Sequence, residues 1–330
     1  MSRPSLSPSH RPARRAAVAL PVTALAGALV LTGCGSDDGS SKNPSSSGTR
    51  SVTDALGKKV TVPAAPEKVV TLSEPTLDAS LALGVEPIGA TAGRGQKGVS
   101  AYLAKKADKA EIVASVAEPD LEKLASLQPD LILLDETVGS KRVLDKLRSI
   151  APTVLTAKLN EDWKTAFTAT ADALNKKADA QKWLARFDSD VAAAKTSLKG
   201  NAGAVTSVVR WQDGAPSIVG KGKGHVGSTL TALGLKRPAN QQGESIGHSE
   251  PVSLEKLGTI DGDWLFFGAL GDKASGEQAY QEARKVPNFG KLKAEKDHHV
   301  VVIEGAAWNS SGGPIAARTV LDDIKSAMTN

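Results

Sequence analysis

One sequence pattern occurs twice, in the same order, in the two halves of this 330-residue chain. In each copy, Ala-Leu-Gly is followed by Leu-Glu-Lys-Leu and later by an aspartate that opens an apolar run. The copies occupy residues 82–84, 121–124 and Asp130 in the first half, and residues 232–234, 254–257 and Asp263 in the second. Repetition on this scale predicts two similar folded units rather than one undivided body.

Short runs rich in Val, Ile and Leu alternate with segments of helical pattern in both halves. Residues 69–72, 88–92 and 131–134 are predicted strands, and Gly84 is predicted to end a helix between the first two. Alternation of this kind predicts an α/β fold in which helices cover both faces of a sheet.

The middle of the chain differs, because residues 161–199 contain neither Gly nor Pro. Apolar side chains recur there at steps of three and four, which predicts two helices. The second helix, at about 177–199, would span roughly 30 Å. We therefore predict an N-terminal α/β lobe at 52–160, a helical linker with a single long helix at 161–200, and a C-terminal α/β lobe at 201–330.

The first 33 residues resemble a lipoprotein signal peptide. Four arginines and no acidic residue precede an apolar run at 16–31, which is shorter than the ~20 residues of a membrane span. The run ends in Leu-Thr-Gly-Cys, which resembles a lipobox. We therefore predict that Cys34 carries lipid and anchors the chain to the outer face of the cytoplasmic membrane. Residues 34–51, rich in Gly and Ser, are predicted to be a flexible tether.

Removal of the signal peptide changes the charge balance. Its four arginines account for most of the net charge of +5, so the remainder is close to neutral and gives no reason to expect nucleic-acid binding. Cys34 is the only cysteine, which excludes an intrachain disulfide. Adjacent Arg14 and Arg15 leave the choice between general secretory and twin-arginine export open.

The lipobox, the long central helix and the repeated Leu-Glu-Lys-Leu segments together resemble the substrate-binding lipoproteins of ABC importers for ferric siderophores and cobalamin. The resemblance extends from about Val60 to Ile324, and residues 218–235 and 308–314 are most similar to the ferric hydroxamate branch. It implies a helical-backbone, periplasmic-binding-protein-like fold that holds its ligand in a cleft between the lobes.

The resemblance also implies a function without catalysis. A monomer would capture a ferric siderophore, of a ferrioxamine-like hydroxamate type, and deliver it to the permease subunits of an ABC importer. Iron would arrive within the siderophore, so the protein would bind no cofactor or metal directly. Glu122 and Glu255, one in each lobe, would meet arginines on the two permease subunits.

The positions of the two glutamates support this role. Each is predicted in the first turn of a helix, after a capping residue, Asp120 or Ser253, with its side chain in solvent. A first-turn glutamate can also do no more than complement the helix dipole, which contributes about 0.3–1 kcal/mol. Matched positions in the two lobes favour docking.

A ferric trihydroxamate is bulky and nearly neutral, so its site needs aromatic walls and one or two arginines. Arg210 and Trp211 end the first strand of the second half, and ligands of open α/β sheets bind beyond the carboxyl ends of strands. Alternation along a strand places these two side chains on opposite faces, which leaves a core position open for Trp211.

Further candidates for ligand binding lie in predicted loops. Arg94 follows a strand within a Gly-rich loop, Tyr102 lies just beyond it, and Trp308 follows the strand at 300–303 in a polar, Gly-rich segment. Arg237 is a weaker candidate. The remaining tryptophans are predicted to pack in the core: Trp163, Trp183 and Trp264.

Other motifs suggest different classes of protein, but each of them lacks the companion residues that its class needs. The G-x-G-x-x-G sequence at 222–227 lacks the acidic residue that a dinucleotide-binding fold needs at a later strand end. Ser253 begins an S-x-x-K sequence, but the companion motifs of penicillin-recognising enzymes are absent. An anchored hydrolase would need a nucleophile, a base and oxyanion donors, and the sequence offers no such set.

Several other ligands stay open, namely cobalamin, haem, a ferric catecholate and a free divalent metal. The candidate metal ligands are four histidines of the second half, none of them spaced four apart as on one helix face: His225, His248, His298 and His299. A purely structural surface lipoprotein is a third class compatible with the sequence.

Overall fold

The computed structural model describes residues 48–115, 117–136, 142–244, 249–309 and 311–329. The predicted signal peptide, Cys34 and most of the predicted tether lie outside the described residues, as does His248. Among the residues described, no helix is both long and apolar enough to cross a bilayer.

The N-terminal lobe contains an antiparallel hairpin and a parallel sheet. The hairpin strands are β1 (Thr49–Thr53) and β2 (Lys59–Pro63), and the sheet strands are β3 (Val69–Thr71), β4 (Gly89–Thr91), β5 (Glu111–Ala114), β6 (Leu131–Leu134) and β7 (Thr153–Leu155). In space the sheet runs β5-β4-β3-β6-β7, and every residue of β3, β6 and β7 is buried. Burial on both faces explains why these strands are apolar without alternation.

Strand β1 begins inside the predicted tether. Val52 and Val62 are buried in the core of the N-terminal lobe, and the guanidinium of Arg50 donates to the carbonyl of Ala173 at 2.7 Å. The prediction that the tether extends to residue 51 is therefore wrong from Thr49 onward. Local composition did not reveal this strand, because Arg50 and Ala173 are 123 residues apart in the chain.

Helices α1 (Glu74–Ala82), α2 (Leu121–Ser126) and α3 (Leu144–Ile150) pack against this sheet. Gly84 follows α1 with a φ of 73°, the left-handed conformation typical of a glycine at a helix C-terminus. Asp120 caps α2 as predicted, because its carboxylate accepts a hydrogen bond from the backbone N–H of Lys123 at 3.0 Å. Tyr102 lies in a 3₁₀ helix, Ala101–Lys106.

Helices α4 (Trp163–Ala173) and α5 (Lys177–Ser197) follow, as the absence of Gly and Pro predicts. Ala180, near the start of α5, packs in the core of the N-terminal lobe, whereas Val191 and Ala194 pack in the core of the C-terminal lobe. The long helix therefore bridges the two cores.

The C-terminal lobe has a mainly parallel sheet with one reversed strand next to its edge. Its strands are β8 (Thr206–Gln212), β9 (Ala215–Ile218), β10 (Glu250–Pro251), β11 (Trp264–Gly268) and β12 (Val300–Val302), in the spatial order β10-β9-β8-β11-β12. Strands β8, β11 and β12 are parallel, whereas β9 is antiparallel to both β8 and β10. Asp213 and Gly214 make the tight turn between β8 and β9, with φ values of 53° and 78°.

The α-helices of this lobe are α6 (His225–Ala232), α7 (Lys273–Ala283), α8 (Lys293–Lys296), α9 (Gly305–Asn309) and α10 (Pro314–Met328). The segment Leu254–Ile260 is a kinked 3₁₀ helix rather than an α-helix. In the described part of the chain the Ser253 side chain makes no capping bond, so the predicted cap is wrong. The backbone at Lys256 is not helical, so the segment lacks the regular first turn that a capping side chain would stabilise.

Helix α10 packs against α5, α6 and α9, and also against α1 of the N-terminal lobe. The carboxylate of Asp78, in α1, accepts hydrogen bonds from the backbone N–H groups of Ile315 and Ala316 at 2.7 and 2.9 Å. The prediction of two α/β lobes with a long central helix is confirmed. The structure adds a second junction, between α1 and α10, that the sequence did not indicate.

Candidate functional site

A cleft of about 910 Å³, including its open mouth, lies between the two lobes. Loops that follow β6 and β7 line it on one side, and the Gly-rich loop before α6 and the turn before α10 line it on the other. The lining residues include Asp135, Lys158, Leu159, Trp163, Lys221, Lys223, His225 and Gly312. This is the part of an α/β fold in which ligands commonly bind.

Two arginines from opposite lobes approach each other, Arg94 after β4 and Arg210 in β8. Burial, and secondly the charge of Arg94, lower the pKa of Arg210. Arg210 is 8% exposed, and its Nη2 donates to the hydroxyl of Ser249 at 2.7 Å. Its Nε and Nη1, and the Nε of Arg94, are buried without a hydrogen-bond partner among the described residues. The Nε atoms of Arg50, Arg148 and Arg237 are also buried without a partner in the described ranges, so Nη1 of Arg210 is the donor that distinguishes this site. An oxygen atom of a ligand would satisfy it.

Neither arginine is among the residues that line the cleft, but Glu74 contacts the Arg94 loop and is followed by a residue of the cleft wall. This first residue of α1 is buried, and its carboxylate accepts hydrogen bonds from the hydroxyl of Ser100 and the backbone N–H of Arg94. Burial raises the pKa of Glu74 to about 6, although the Ser100 bond and the charge of Arg94 oppose the rise. The next residue, Pro75, lines the cleft, so Glu74 fixes the Arg94 loop beside it.

Trp211 lies on the opposite face of β8 from Arg210. It is buried, and its ring centroid lies 5.7 Å from that of Phe267 and 6.0 Å from that of Phe289. The prediction that Trp211 contacts the ligand is therefore wrong. Alternation along the strand decides the outcome, because Arg210 can point toward the other lobe only if Trp211 points into the core.

Trp308 belongs to helix α9 rather than to a loop. It is 1% exposed, its ring stacks on that of Phe266 at 4.7 Å between centroids, and its Nε1 donates to the carboxylate of Asp323 at 2.8 Å. The predicted loop position is therefore wrong. Trp308 is among the residues that line the cleft, and its contact with a ligand stays a prediction. Its core partner Phe266 comes from another strand, which no local pattern could indicate.

Tyr102 is directed to the junction between the lobes. Its hydroxyl donates to the carboxylate of Asp78 at 3.0 Å, and burial raises the pKa of the phenol well above its ordinary value. The hydroxyl is therefore already engaged, and a contact between Tyr102 and a ligand stays a prediction.

The Gly-rich loop at 220–224 is a wall of the cleft that the sequence did not identify as one. Gly220 and Gly222 have φ values of 68° and 69°, which suit glycine. The buried guanidinium of Arg237 donates to the carbonyls of Gly220 and Val219 at 2.8 and 2.9 Å, and burial lowers its pKa to about 10. Arg237 therefore braces the loop from behind. The available sequence signal was a cluster of glycines directly before a helix.

Glu122 and Glu255 are both exposed, on α2 and on the 3₁₀ helix that follows Ser253. Neither forms an ion pair with a residue that the structure describes. Their carboxylates are therefore accessible to cationic groups of a partner. Docking itself stays a prediction.

Across the described ranges, no three His, Cys, Asp or Glu side chains are grouped so that they could hold a metal ion. His225 borders the cleft, but it is buried, and its Nε2 lies 2.7 Å from the carbonyl of Ala307. Burial lowers the pKa of His225 to about 4, so it is neutral at pH 7. His299 packs flat against Trp264, with ring centroids 4.1 Å apart.

The two lobes, the long helix and the cleft between them are matched by known proteins. A family model described as periplasmic binding protein matches residues 69–307. The chain belongs to the periplasmic binding protein family. Members of this family bind solutes and are not enzymes, so the hydrolase alternative is excluded.

Several relatives of this binding protein are named for siderophores or ferric complexes. It is 33% identical over 308 residues to the probable siderophore-binding lipoprotein YfiY of Bacillus subtilis, covering 90% of this chain and 93% of the relative. It is 30% identical to the iron(3+)-hydroxamate-binding protein FhuD of the same organism, covering 91% and 93%. The crystal structure of Staphylococcus aureus SirA complexed with staphyloferrin B matches with a TM-score of 0.70 at 26% identity, covering 84% and 98%.

Proposed function

We propose that this binding protein captures a ferric siderophore in the cleft between its lobes and delivers it to the permease of an ABC importer. The observation that carries the proposal is the approach of Arg94 and Arg210 from opposite lobes, with buried N–H donors that lack acceptors. The names of the relatives support the ligand class. Iron enters and leaves within the chelator, so the protein needs no metal ligands of its own.

The chemistry of the site refines the ligand. Two guanidinium groups repel each other, and Glu74 lies on the Arg94 side only. A ligand carboxylate between the guanidinium groups would accept charge-assisted hydrogen bonds from both, which a neutral trihydroxamate would not. The resemblance to the ferric hydroxamate branch favours hydroxamate groups. A chelator with hydroxamate arms and at least one free carboxylate meets both requirements, and we propose this class.

The proposal is tested by adding candidate ligands to the full chain in detergent and measuring the quenching of its tryptophan fluorescence. The probes are ferric aerobactin (a citrate with two hydroxamate arms), ferrioxamine, ferrichrome, a ferric tris-catecholate, cobalamin and haem. We expect saturable binding of ferric aerobactin, with weaker binding of ferrioxamine and ferrichrome. Tightest binding of a neutral trihydroxamate would contradict the carboxylate requirement, and binding of none of the ferric probes would refute the function.

We also propose that Glu122 and Glu255 dock on the two permease subunits. Both are exposed carboxylates at the corresponding positions of the repeated segment. Reversal of both charges, Glu122→Arg with Glu255→Arg, should abolish uptake by cells and leave ligand affinity unchanged. The matched control reverses two other exposed glutamates, one in each lobe, Glu67→Arg with Glu277→Arg. Equal loss of uptake in both double variants would refute a specific docking role.

Lipidation of Cys34 completes the proposed function. The lipobox-like sequence before Cys34 and the lipoprotein names of relatives support it. The substitution Cys34→Ser should abolish incorporation of labelled fatty acid and release the chain from the membrane fraction. Retention of the label in that variant would refute the assignment.

A further inference from the structure

Asp78 joins the two lobes through its buried side chain. It is 0% exposed, and its carboxylate accepts hydrogen bonds from the backbone N–H groups of Gly313, Ile315 and Ala316 at 3.1, 2.7 and 2.9 Å. The hydroxyl of Tyr102, in the same lobe as Asp78, adds a fourth bond at 3.0 Å. Three of the four donors therefore belong to the opposite lobe.

These bonds provide acceptors, from outside the helix, for the backbone N–H groups at the N-terminus of α10. Helices leave their first N–H groups without intrahelical acceptors, and a side chain at the cap position usually accepts from them. Here the cap residue is Gly313, which has no side chain, and Asp78 takes that role from a position 235 residues earlier in the chain. The cap of α10 thus depends on contact between the lobes.

The turn before α10 is packed so closely that neither of its two glycines has room for a side chain. A Cβ atom at Gly313 would lie 2.9 Å from Oδ1 of Asp78. A Cβ atom at Gly312 would lie 2.4 Å from the Cβ of Ala316 and 2.9 Å from the ring of His225. Asp78 from one lobe and His225 from the other therefore enclose the turn.

The same turn lines the ligand cleft. Gly312 and the preceding Ser311 belong to its wall, close to His225 and the Gly-rich loop. We propose that Asp78 is a positioning residue of the cleft: it caps α10 from the opposite lobe and holds this wall against the N-terminal lobe. Its effect on a ligand rests on the proposed function, whereas its effect on the backbone does not.

The substitution Asp78→Asn removes one of the two acceptor oxygens and turns an NH2 group toward backbone donors. Asp54→Asn is a control for the loss of a buried carboxylate: Asp54 is also buried, its Oδ1 accepts from the backbone N–H groups of Leu56 and Lys58, and its Oδ2 pairs with Arg148 at 3.4 Å, all within its own lobe. Tyr102→Phe removes only the fourth donor and should have a smaller effect than Asp78→Asn.

Hydrogen–deuterium exchange of the full chain without ligand tests the backbone effect. In Asp78→Asn, exchange in residues 313–318 should accelerate about tenfold or more, since lost hydrogen bonds to a charged group favour local opening by at least that factor. In Asp54→Asn this segment should exchange as in the unchanged chain. Unchanged exchange at 313–318 in Asp78→Asn, or equal acceleration in the control, would overturn the proposal.

Stopped-flow release of ferric aerobactin tests the effect on the ligand. Asp78→Asn should raise the dissociation rate about tenfold and change the association rate less than about threefold, because a loosened cleft wall shortens the bound lifetime. Asp54→Asn should change neither rate. Equal effects in both variants would mean general destabilisation and overturn the proposal. If ferric aerobactin does not bind the unchanged chain, the proposed ligand fails, and the exchange experiment alone decides the role of Asp78.

Discussion

The two lobes order their strands alike but connect the first strand of each sheet to its neighbour differently. In the N-terminal lobe, helix α1 carries the chain from β3 to the parallel strand β4. In the C-terminal lobe, a two-residue turn at Asp213 and Gly214 sends the chain directly into the antiparallel strand β9. The helix that matches α1 in the sequence repeat, α6, comes only after that hairpin.

The repeated aspartates accept backbone hydrogen bonds just before the first strand of the sheet in both lobes. Asp130 accepts hydrogen bonds from the backbone N–H groups of Glu67 and Lys68 just before β3, and Asp263 accepts one from Val205 just before β8. The residues around the cleft differ between the lobes. The repeat therefore marks the framework, and the connection after the first strand decides which side chains reach the cleft.

The two lobes also differ in the ionisable groups that they bury. Helix α1 brings two buried carboxylates, Glu74 and Asp78, to the N-terminal side, and burial raises the pKa of each to about 6. The hairpin and α6 bring His225 to the C-terminal side, where burial lowers its pKa to about 4. The following predictions test this contrast between the lobes.

The largest expected effect is an opposite pH dependence at His225 and Glu74. The histidine contributes stability above pH 6.5 and loses it as pH falls toward 4, about 3 kcal/mol in total. Glu74, whose folded-state pKa is raised, contributes stability below pH 4.5 and loses about 2 kcal/mol as pH rises through 6. Denaturant unfolding at pH 4–7 of His225→Gln and Glu74→Gln, each compared with the unchanged chain, should give differences of opposite slope. If the two differences in the free energy of unfolding changed with pH in the same direction, the predicted contrast between the lobes would be wrong.

A second comparison concerns the arginines. Because Arg210 has two buried donors without acceptors and Arg94 has one, Arg210→Gln should weaken ferric aerobactin binding more than Arg94→Gln does. A lost charged hydrogen bond costs about 1.5–3 kcal/mol, so we expect roughly a 10- to 100-fold loss for Arg210→Gln. Titration measures both. Arg210→Lys keeps the charge but loses the planar fork, and full affinity in that variant would exclude directional recognition.

The repeated aspartates should differ in the number of bonds they lose. Asp130→Asn leaves one oxygen for two N–H donors and should lower the free energy of unfolding by about 1–2 kcal/mol. Asp263→Asn keeps an oxygen for its single donor and loses an exposed ion pair with Lys293, which should cost below about 1 kcal/mol. Urea unfolding compares them, and a larger cost at Asp263 would contradict the assignment.

The smallest effect concerns the glycines that follow α1 and α6. Gly84 and Gly234 have φ values of 73° and 77°, so Gly84→Ala and Gly234→Ala should each cost about 1 kcal/mol in the free energy of unfolding. A Cβ atom at Gly84 meets nothing within 4 Å, whereas one at Gly234 would lie 3.2 Å from Cε of Lys195. Urea unfolding should therefore show a slightly larger cost at Gly234, and Gly200→Ala, in open space at negative φ, is the control.

Sequence patterns predicted the framework well because those patterns are local. Gly84, Asp120 and the Gly-free run at 161–199 each act on neighbouring residues, and each has the predicted structure. The core positions of Trp163, Trp183 and Trp264 were predicted, but those of two other tryptophans were not. Trp211 and Trp308 occupy core positions because Phe267 and Phe266, from another strand, pack against them.

By itself, the sequence determined the two-lobed α/β architecture and the long helix, since periodicity depends on residues close together in the chain. Only the tertiary structure decided that Arg94 approaches Arg210, that Trp211 is buried, and that Asp78 caps α10. Each of these depends on how two lobes pack together, and buried donors and acceptors find partners there across more than a hundred residues of chain.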